Sequence, residues 1–186
     1  MDSMQNDGDN TNALPTGQRL SFERERGVYA LRVMHNIAHA VVKFGVEGNR
    51  SEHIERALKT ISDAGAPIFL IKLHRNSITF ALAECDSVIA KEAFQRAGYI
   101  TTFREDLAMI SVIAASMREV SGIMADISDA LCSADAHMYE TGDSHDSVQC
   151  LIAEERTAAA LHQLCKTFHL PPEAIQVRQL QKGSTD

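Results

Sequence analysis

The chain has 186 residues, of which 45% are hydrophobic and 23% charged, the balance of a globular protein with one mid-sized domain or two small ones. Its net charge is −7, which argues against a nucleic-acid partner because phosphate binding needs a basic face. The sequence has no apolar run near the roughly 20 residues of a membrane helix and no signal-peptide core, so we expect a cytoplasmic protein that does not bind membranes.

The two ends of the chain differ in composition from the rest. Residues 1–18 and 179–186 are polar and offer almost no apolar surface to bury, so we expect a disordered N-terminal tail and a flexible C-terminal tail. Residues 19–38 are harder to interpret. The alternation from Val28 to Val33 predicts a short strand added at a sheet edge.

From there the hydrophobic pattern switches between the periods of strands and helices. The order is strand, helix, strand, strand, helix, strand, and Ser51 is the expected N-cap of the first helix. The predicted elements are a strand at 39–47, a helix at 51–65, strands at 68–73 and 77–83, a helix at 86–97 and a strand at 99–104.

The same order then recurs after about 70 residues. The elements of this second set are a strand at 108–114, a helix at 122–134, strands at 136–141 and 147–152, a helix at 154–168 and a strand at 174–179. An internal repeat of the βαββαβ type predicts an α+β fold of two ferredoxin-like units in tandem, residues 27–104 and 105–178. Each unit should form an antiparallel sheet with both helices on one face.

The other face of each predicted sheet is apolar and must be covered, either within the chain or by another chain. The strand at 147–152 is interpreted as an exposed edge strand, which is a liability unless it is paired. We therefore expect a homodimer or a higher homo-oligomer.

Two segments of the second set carry a family resemblance. The segment SGIMADISDAL at 121–131 contains Gly122, Ile127 and Leu131 in the spacing of a family motif, and TGDSHDSVQCLI at 141–152 contains the triplet Asp143-Ser144-His145. Together with the paired strands of the first set, they resemble the tandem ACT domains that end aspartokinases, most closely the diaminopimelate-sensitive type. Ser121 replaces the family's proline, and Ala114 stands where a glycine is usual.

The resemblance implies a regulatory role without catalysis. The sequence contains neither the K-F-G-G segment that opens an aspartokinase kinase domain nor a phosphate-binding Walker loop. The implied function is to sense a small amino acid of the aspartate family, such as lysine, threonine or diaminopimelate, where ACT units meet. The alternative is a ligand-free oligomerisation module, or a regulatory subunit that partners a separate aspartokinase, and the altered loop residues favour it.

Three regions are candidates for the amino-acid site. The loops that precede the first helix of each unit would present free N–H groups to a carboxylate, and an acidic residue near the Asp143 turn would meet the ammonium group. A turn alone also explains Gly142, Asp143 and Ser144, because these residue types favour turns. The candidate ligand-binding residues are Asn49, Ser51, Ser116, Met117, Ser121, Gly122, Ile123, His137, Glu140, Asp143, Ser144 and His145.

We expect neither a metal ion nor a cofactor. His35 and His39 lie close in sequence but lack a third ligand nearby, and three ligands from one straight helix, as at His162, Cys165 and His169, rarely converge on one ion. The four cysteines, which lie within apolar patterns, are expected to be buried free thiols.

Overall fold

The computed structural model describes residues 27–45, 49–115 and 122–178. Both predicted tails lie outside these residues, as do the candidate site residues Ser116, Met117 and Ser121. Within the described part of the chain, no helix is long and apolar enough to cross a membrane.

The described residues form one seven-stranded sheet and four α-helices, which confirms the α+β class. Short 3₁₀ turns, Glu84–Asp86 and Glu154–Arg156, precede the second and fourth helices. In chain order the elements are β1 (Gly27–Lys43), α1 (Arg50–Asp63), β2 (Ile68–Leu73), β3 (Ser77–Ala83), α2 (Ser87–Arg96), β4 (Ile100–Ala115), α3 (Ile123–Ser133), β5 (Glu140–Asp143), β6 (Ser147–Ala153), α4 (Thr157–Thr167) and β7 (Ile175–Arg178).

The strand order corrects two predictions. It is β2-β3-β1-β4-β6-β5, with β7 parallel to β1. The strand expected at the sheet edge near Val28 is instead the start of β1, at the centre of the sheet, because the apolar alternation continues through it into the next predicted strand. The strand 147–152 is not an edge either, since β6 lies between β4 and β5.

The pairing of the two long strands is irregular at three places, and two of these bulges lie near the middle of the sheet. The predicted strands 99–104 and 108–114 are a single strand, β4, which bulges at Asp106, and β1 bulges at Asn36. Both residues have left-handed backbone conformations, with φ of 56° and 57°, a region that Asp and Asn enter more readily than most residues. Short polar residues of this kind resemble a turn in the sequence, which is why the continuous strand was divided.

The bulges separate two halves of the sheet. We call residues 37–106 the first half, and residues 27–36 with 107–178 the second half. Residues 37–43 of β1 pair with β3, whereas residues 28–34 pair with the second part of β4. The first predicted unit, which began at residue 27, therefore shares β1 with the second, and the predicted boundary at residues 104 and 105 falls inside β4.

The helices cover one face of this sheet through two apolar clusters. In the first half α1 and α2 pack on β1 and β3 around Phe80 and Phe94, and in the second half α3 and α4 pack on β4 and β6 around Ile110 and Leu131. A third cluster lies on the helix-free face and joins both halves. Its buried members are Met34, Ile37, Ala81, Leu107, Met109 and Leu151, with Phe69, Leu70 and Tyr139 packed against them.

The third cluster bears on the expected oligomer. The helix-free face was predicted to need a cover from within or between chains, and in this structure residues of the two halves cover it within one chain. The uncovered face is therefore no longer a reason to expect a second chain.

Candidate functional site

At one end of the second half, the β5–β6 turn lies beside the C-terminal end of β4. The backbone N–H of Ala114 donates to the carbonyl oxygen of Asp146 at 2.9 Å. The first half has the same bond, from Phe44 N–H to the oxygen of Asn76 at 2.8 Å. The turn predicted from the sequence therefore lies beside the end of β4, whereas the predicted loop that follows, residues 116–121, lies outside the described residues. We call this place the second corner, and its counterpart near Asn76 the first corner.

The start of α3 has no side-chain cap among the described residues. Gly122 precedes the helix with a φ of 82°, a left-handed conformation that suits glycine. Ile123 is buried in the cluster beneath, so it anchors the helix and is not available to a ligand through its side chain. The first backbone N–H groups of α3 retain the partial positive charge of a helix N-terminus, which attracts anions.

At the first corner, side chains of the protein itself already bind the free backbone groups. Asn49, not Ser51, caps α1: its Oδ1 accepts the N–H of Ser51 at 3.0 Å. The Arg50 guanidinium donates to the carbonyl oxygens of Leu73 at 3.4 Å and His74 at 3.2 Å. The predicted Ser51 cap is wrong, because the helix begins at Arg50 and Asn49, two residues before Ser51, supplies the capping oxygen.

The Asp143-Ser144-His145 triplet divides into two kinds of residue. Ser144 builds the turn: its Oγ donates to Asp146 Oδ1 at 2.9 Å and accepts the N–H of Ser147 at 3.1 Å. The side chains of Asp143 and His145 are exposed, and neither has a hydrogen-bond or ion-pair partner among the described residues. Asp143 thus presents an unpaired carboxylate at the second corner.

Glu140 turns away from this corner onto the helix-free face, where it already has partners. Its carboxylate lies 2.6 Å from Lys72 Nζ and accepts the hydroxyl of Thr79 at 3.1 Å. Burial raises the pKa of this carboxyl, but the contacts with Lys72 and Thr79 outweigh it, so the pKa lies below its ordinary value. Glu140 is therefore an ionised group satisfied by the chain itself.

His39 completes the same buried group. Its Nε2 lies 3.5 Å from Glu140 Oε2 and has no hydrogen-bond partner, and its side chain is 12% exposed. Burial lowers the pKa of His39 below its ordinary value, although Glu140 opposes the shift. The imidazole is neutral near pH 7 as a result.

His137 lies elsewhere, in a groove between α3 and the segment before β5. Its ring meets Tyr139 edge-on, with 4.9 Å between ring centroids. The groove has a volume of about 410 Å³, and the exposed Cys132 also lines it. The structure therefore does not bring His137 together with Asp143.

The cysteines follow the prediction only in part. Cys150 is buried, and burial raises the pKa of its thiol to about 12. Cys85 and Cys132 are exposed, contrary to expectation: Cys85 lies between two acidic residues in the 3₁₀ turn Glu84–Asp86, and Cys132 lies on the solvent side of α3.

The described residues contain no group of three His, Cys, Asp or Glu side chains that could hold a metal ion. The two histidines considered for such a role have different partners, since His35 Nδ1 is hydrogen-bonded to Glu154 and His39 faces Glu140.

The contacts of Glu140 were missed in the sequence. Lys72 and Thr79 are 68 and 61 residues away from it, and no local pattern pairs them. One signal was present: Lys72 is the only charged residue in the apolar strand IFLIKL, and a lone charge in such a strand needs a partner when it is partly buried.

Comparison with known proteins agrees with the resemblance seen in the sequence. Residues 110–168 match the family model of the ACT domain. Aspartokinase 1 of Bacillus subtilis (strain 168) is 22% identical over 143 residues, which are 75% of this chain and 35% of that protein. The chain therefore spans about a third of that relative.

Solved structures with the same fold include regulatory subunits that match over nearly their whole length. The ligand-free regulatory subunit of Thermus thermophilus aspartate kinase superposes with a TM-score of 0.68 at 16% identity, over 77% of this chain and 99% of that one. A structure of aspartokinase alpha and beta subunits gives 0.70 at 19% identity, over 77% and 100%. Clostridium acetobutylicum aspartate kinase gives 0.68 at 12% identity, with 78% of this chain but 36% of that one covered. The matched fold is that of the regulatory part, not of a kinase domain.

Proposed function

We propose, starting from the ACT domain at residues 110–168 and the aspartokinase-type regulatory fold around it, that this chain is a non-catalytic regulatory protein that senses a small amino acid. Lysine, threonine and diaminopimelate are the favoured ligands. Escherichia coli aspartokinase III, which shares the fold, has been solved in complex with lysine and aspartate, and this supports the class of ligand.

The ligand site of this proposal is the second corner. The observation that supports it is the 2.9 Å bond between Ala114 N–H and the Asp146 oxygen, which joins the turn to the end of β4, the strand that precedes α3 in the chain. The ligand's carboxylate would meet N–H groups at the start of α3 next to Gly122, where the helix dipole contributes about 0.3–1 kcal/mol. Its ammonium group would meet Asp143, and the His145 ring would orient it.

The other candidate residues take lesser roles in the proposal. Ser116, Met117, Ser121 and the backbone of Ile123 belong to the same corner by sequence. Asn49 and Ser51 belong to the first corner, where Arg50 already binds the carbonyl groups, so we assign no ligand there. Ser144 shapes the turn, and Glu140 and His137 are excluded by their positions.

Assembly is part of the proposed function. A ligand that lies at an ACT–ACT interface and prefers one quaternary state over another shifts the protein toward that state. The similar aspartokinase structure with alpha and beta subunits supports both a second copy of this chain and a separate cytoplasmic enzyme subunit as partners.

A thermal-shift screen with the twenty common amino acids and diaminopimelate tests this proposal. A ligand at about 100 times its Kd adds about 2.7 kcal/mol to the stability of the native state. We expect the Tm to rise with the concentration of one aspartate-family amino acid and not with its enantiomer. No rise with any of them at millimolar concentration would contradict the proposal and leave the ligand-free module or subunit.

A further inference from the structure

The two ends of the strand order meet on the helix-free face. β2 and β5 are separated by four other strands, and yet Lys72 of β2 lies 2.6 Å from Glu140 of β5. The strands also approach closely at Gly142, where a Cβ atom would lie 2.3 Å from Leu70 Cδ1. The sheet must therefore curl until its edges touch through side chains.

The internal repeat relates these two contacts to each other. Lys72 and Gly142 are 70 residues apart, and so are Leu70 and Glu140. The repeat therefore relates Lys72 to Gly142 and Leu70 to Glu140. The Lys72–Glu140 ion pair and the Leu70–Gly142 contact are equivalent contacts under this relation. The halves meet around a local twofold arrangement, and the closed face is a product of the repeat.

The chemistry of this contact differs from the rest of the face. Around it lie apolar residues such as Met109 and Leu151, whereas the contact itself holds Lys72, Glu140, Thr79 and His39, whose Nε2 lies 3.5 Å from Glu140. A partly buried ion pair loses hydration that its attraction only partly restores. The side chain of Lys72 is 37% exposed, so its ammonium group can return to water when the halves separate.

A second contact between the halves lies beside the first and has the same character. The guanidinium of Arg104 in the first half lies 4.5 Å from the ring centroid of Tyr139 in the second. Arg104 is exposed, so this cation–π contact can also be exchanged for water at little cost.

The backbone has a suitable hinge between the halves. β1 and β4 cross from one half to the other at the bulges of Asn36 and Asp106. Each bulge is pinned by one backbone bond to the glutamate that opens a 3₁₀ turn: Asn36 N–H donates to Glu154 at 3.4 Å, and Asp106 N–H donates to Glu84 at 3.3 Å. Bulges interrupt the strand ladder and concentrate bending at these two points.

We propose that the two halves open and close about the bulges at Asn36 and Asp106, and that Glu140 is the clasp that holds them closed. The charged groups that face Glu140 and His39 come from three strands: Lys72 from β2, Arg104 from β4 and the carboxylate itself from β5. The clasp is independent of the proposed ligand site, because Glu140 points away from the second corner.

Amide hydrogen exchange followed by mass spectrometry on the full chain tests the clasp. Glu140→Gln keeps the shape of the side chain and removes its charge. We expect amide exchange in both β5 and β2 to become at least about tenfold faster, as expected when a local opening equilibrium shifts, while the helices keep their rates. The response of β2 is decisive, since the substitution is on β5 and simple fraying of β5 leaves β2 unchanged.

The chain offers a matched control. Glu105 has the same kinds of partners as Glu140, with Lys91 Nζ at 2.6 Å and the Ser87 hydroxyl at 2.8 Å, but all three lie within the first half. Glu105→Gln should leave β2 and β5 unchanged. Lys72→Met tests the same clasp from the other strand and should accelerate exchange in β5, which keeps the test available if Glu140→Gln does not fold. Unchanged exchange in the opposite strand, or a uniform rise that includes the helices, overturns the proposal.

Discussion

Neighbouring residues of the β5–β6 turn have different tasks. The sequence presents Asp143, Ser144 and His145 as one motif, and both a turn and a ligand site explain them. In the structure the Ser144 hydroxyl is consumed by the turn, while the Asp143 carboxylate remains unpaired among the described residues. Residue types in the sequence are enough to predict a turn. Which side chain of the turn remains without a hydrogen-bond partner depends on the folded geometry.

Ser144→Ala removes the acceptor for the Ser147 N–H and the donor to Asp146. We expect this to lower the free energy of unfolding by about 0.5–1.5 kcal/mol, the usual net value of an intramolecular hydrogen bond. Urea denaturation measures it. His145→Ala, at the exposed neighbour, is the control and should change stability by less than about 0.5 kcal/mol. Equal stability of the Ser144→Ala protein and the wild type would argue against the turn role.

His39 should make the fold sensitive to acid. Its pKa is lowered in the folded state by burial, so its contribution is fully present above the unfolded value of 6.5 and is lost as the pH falls from there toward the folded pKa. Glu140, whose pKa is also lowered, adds a further loss below pH 4.5. We expect His39→Gln to flatten the fall in Tm just below pH 6.5, whereas His145→Gln should leave it as in wild type. A wild-type Tm that does not fall as the pH drops just below 6.5 would be inconsistent with a buried neutral His39.

At the scale of elements, the sequence was most informative where a strand ends in a polar turn. β2 and β3 have the predicted bounds, because His74, Arg75 and Asn76 interrupt two apolar strands. β4 was divided in two because Glu105 and Asp106 look like such a turn, and here the chain forms a bulge instead. The difference lies in pairing with β1, a partner that is distant in sequence.

The start of α1 gives a direct test of the capping assignment. Asn49→Ala removes the side-chain oxygen that accepts the Ser51 N–H and should lower stability by about 0.5–2 kcal/mol. Ser51→Ala removes the hydroxyl predicted from the sequence to cap this helix, and it should have a clearly smaller effect. Thermal or urea unfolding of both variants decides between the two caps, and a larger loss for Ser51→Ala would restore the original prediction.

The curl of the whole sheet could not be predicted from the sequence. The repeat predicts two similar units, but it does not say whether their apolar faces meet within one chain or between chains. The halves meet through pairs such as Lys72 and Glu140, 68 residues apart, which no local pattern in the sequence connects. The regulatory fold was recognisable because its motifs are local, whereas the contact between the halves is not.

The expected dimer now has a different structural reason. β2 is an end strand of the sheet, and its side chains Ile71 and Leu73 are 46% and 50% exposed. An apolar edge strand is a natural pairing surface. We expect a dimer by light scattering at tens of micromolar protein and its dissociation by Ile71→Lys. A monodisperse wild-type monomer would contradict this prediction.

Titration calorimetry with lysine, threonine and diaminopimelate on the wild type and Asp143→Asn tests the sensor most directly. The substitution keeps the turn chemistry and removes only the charge. We expect one of the three to bind the wild type and to bind the variant about ten- to a hundredfold more weakly, as for the loss of a charged partner worth about 1.5–3 kcal/mol. Asp63→Asn, at the exposed end of α1, should bind as the wild type does. Unchanged affinity in Asp143→Asn would show that the ligand does not bind at the second corner. No binding by the wild type at millimolar concentration would contradict the proposed sensing function itself.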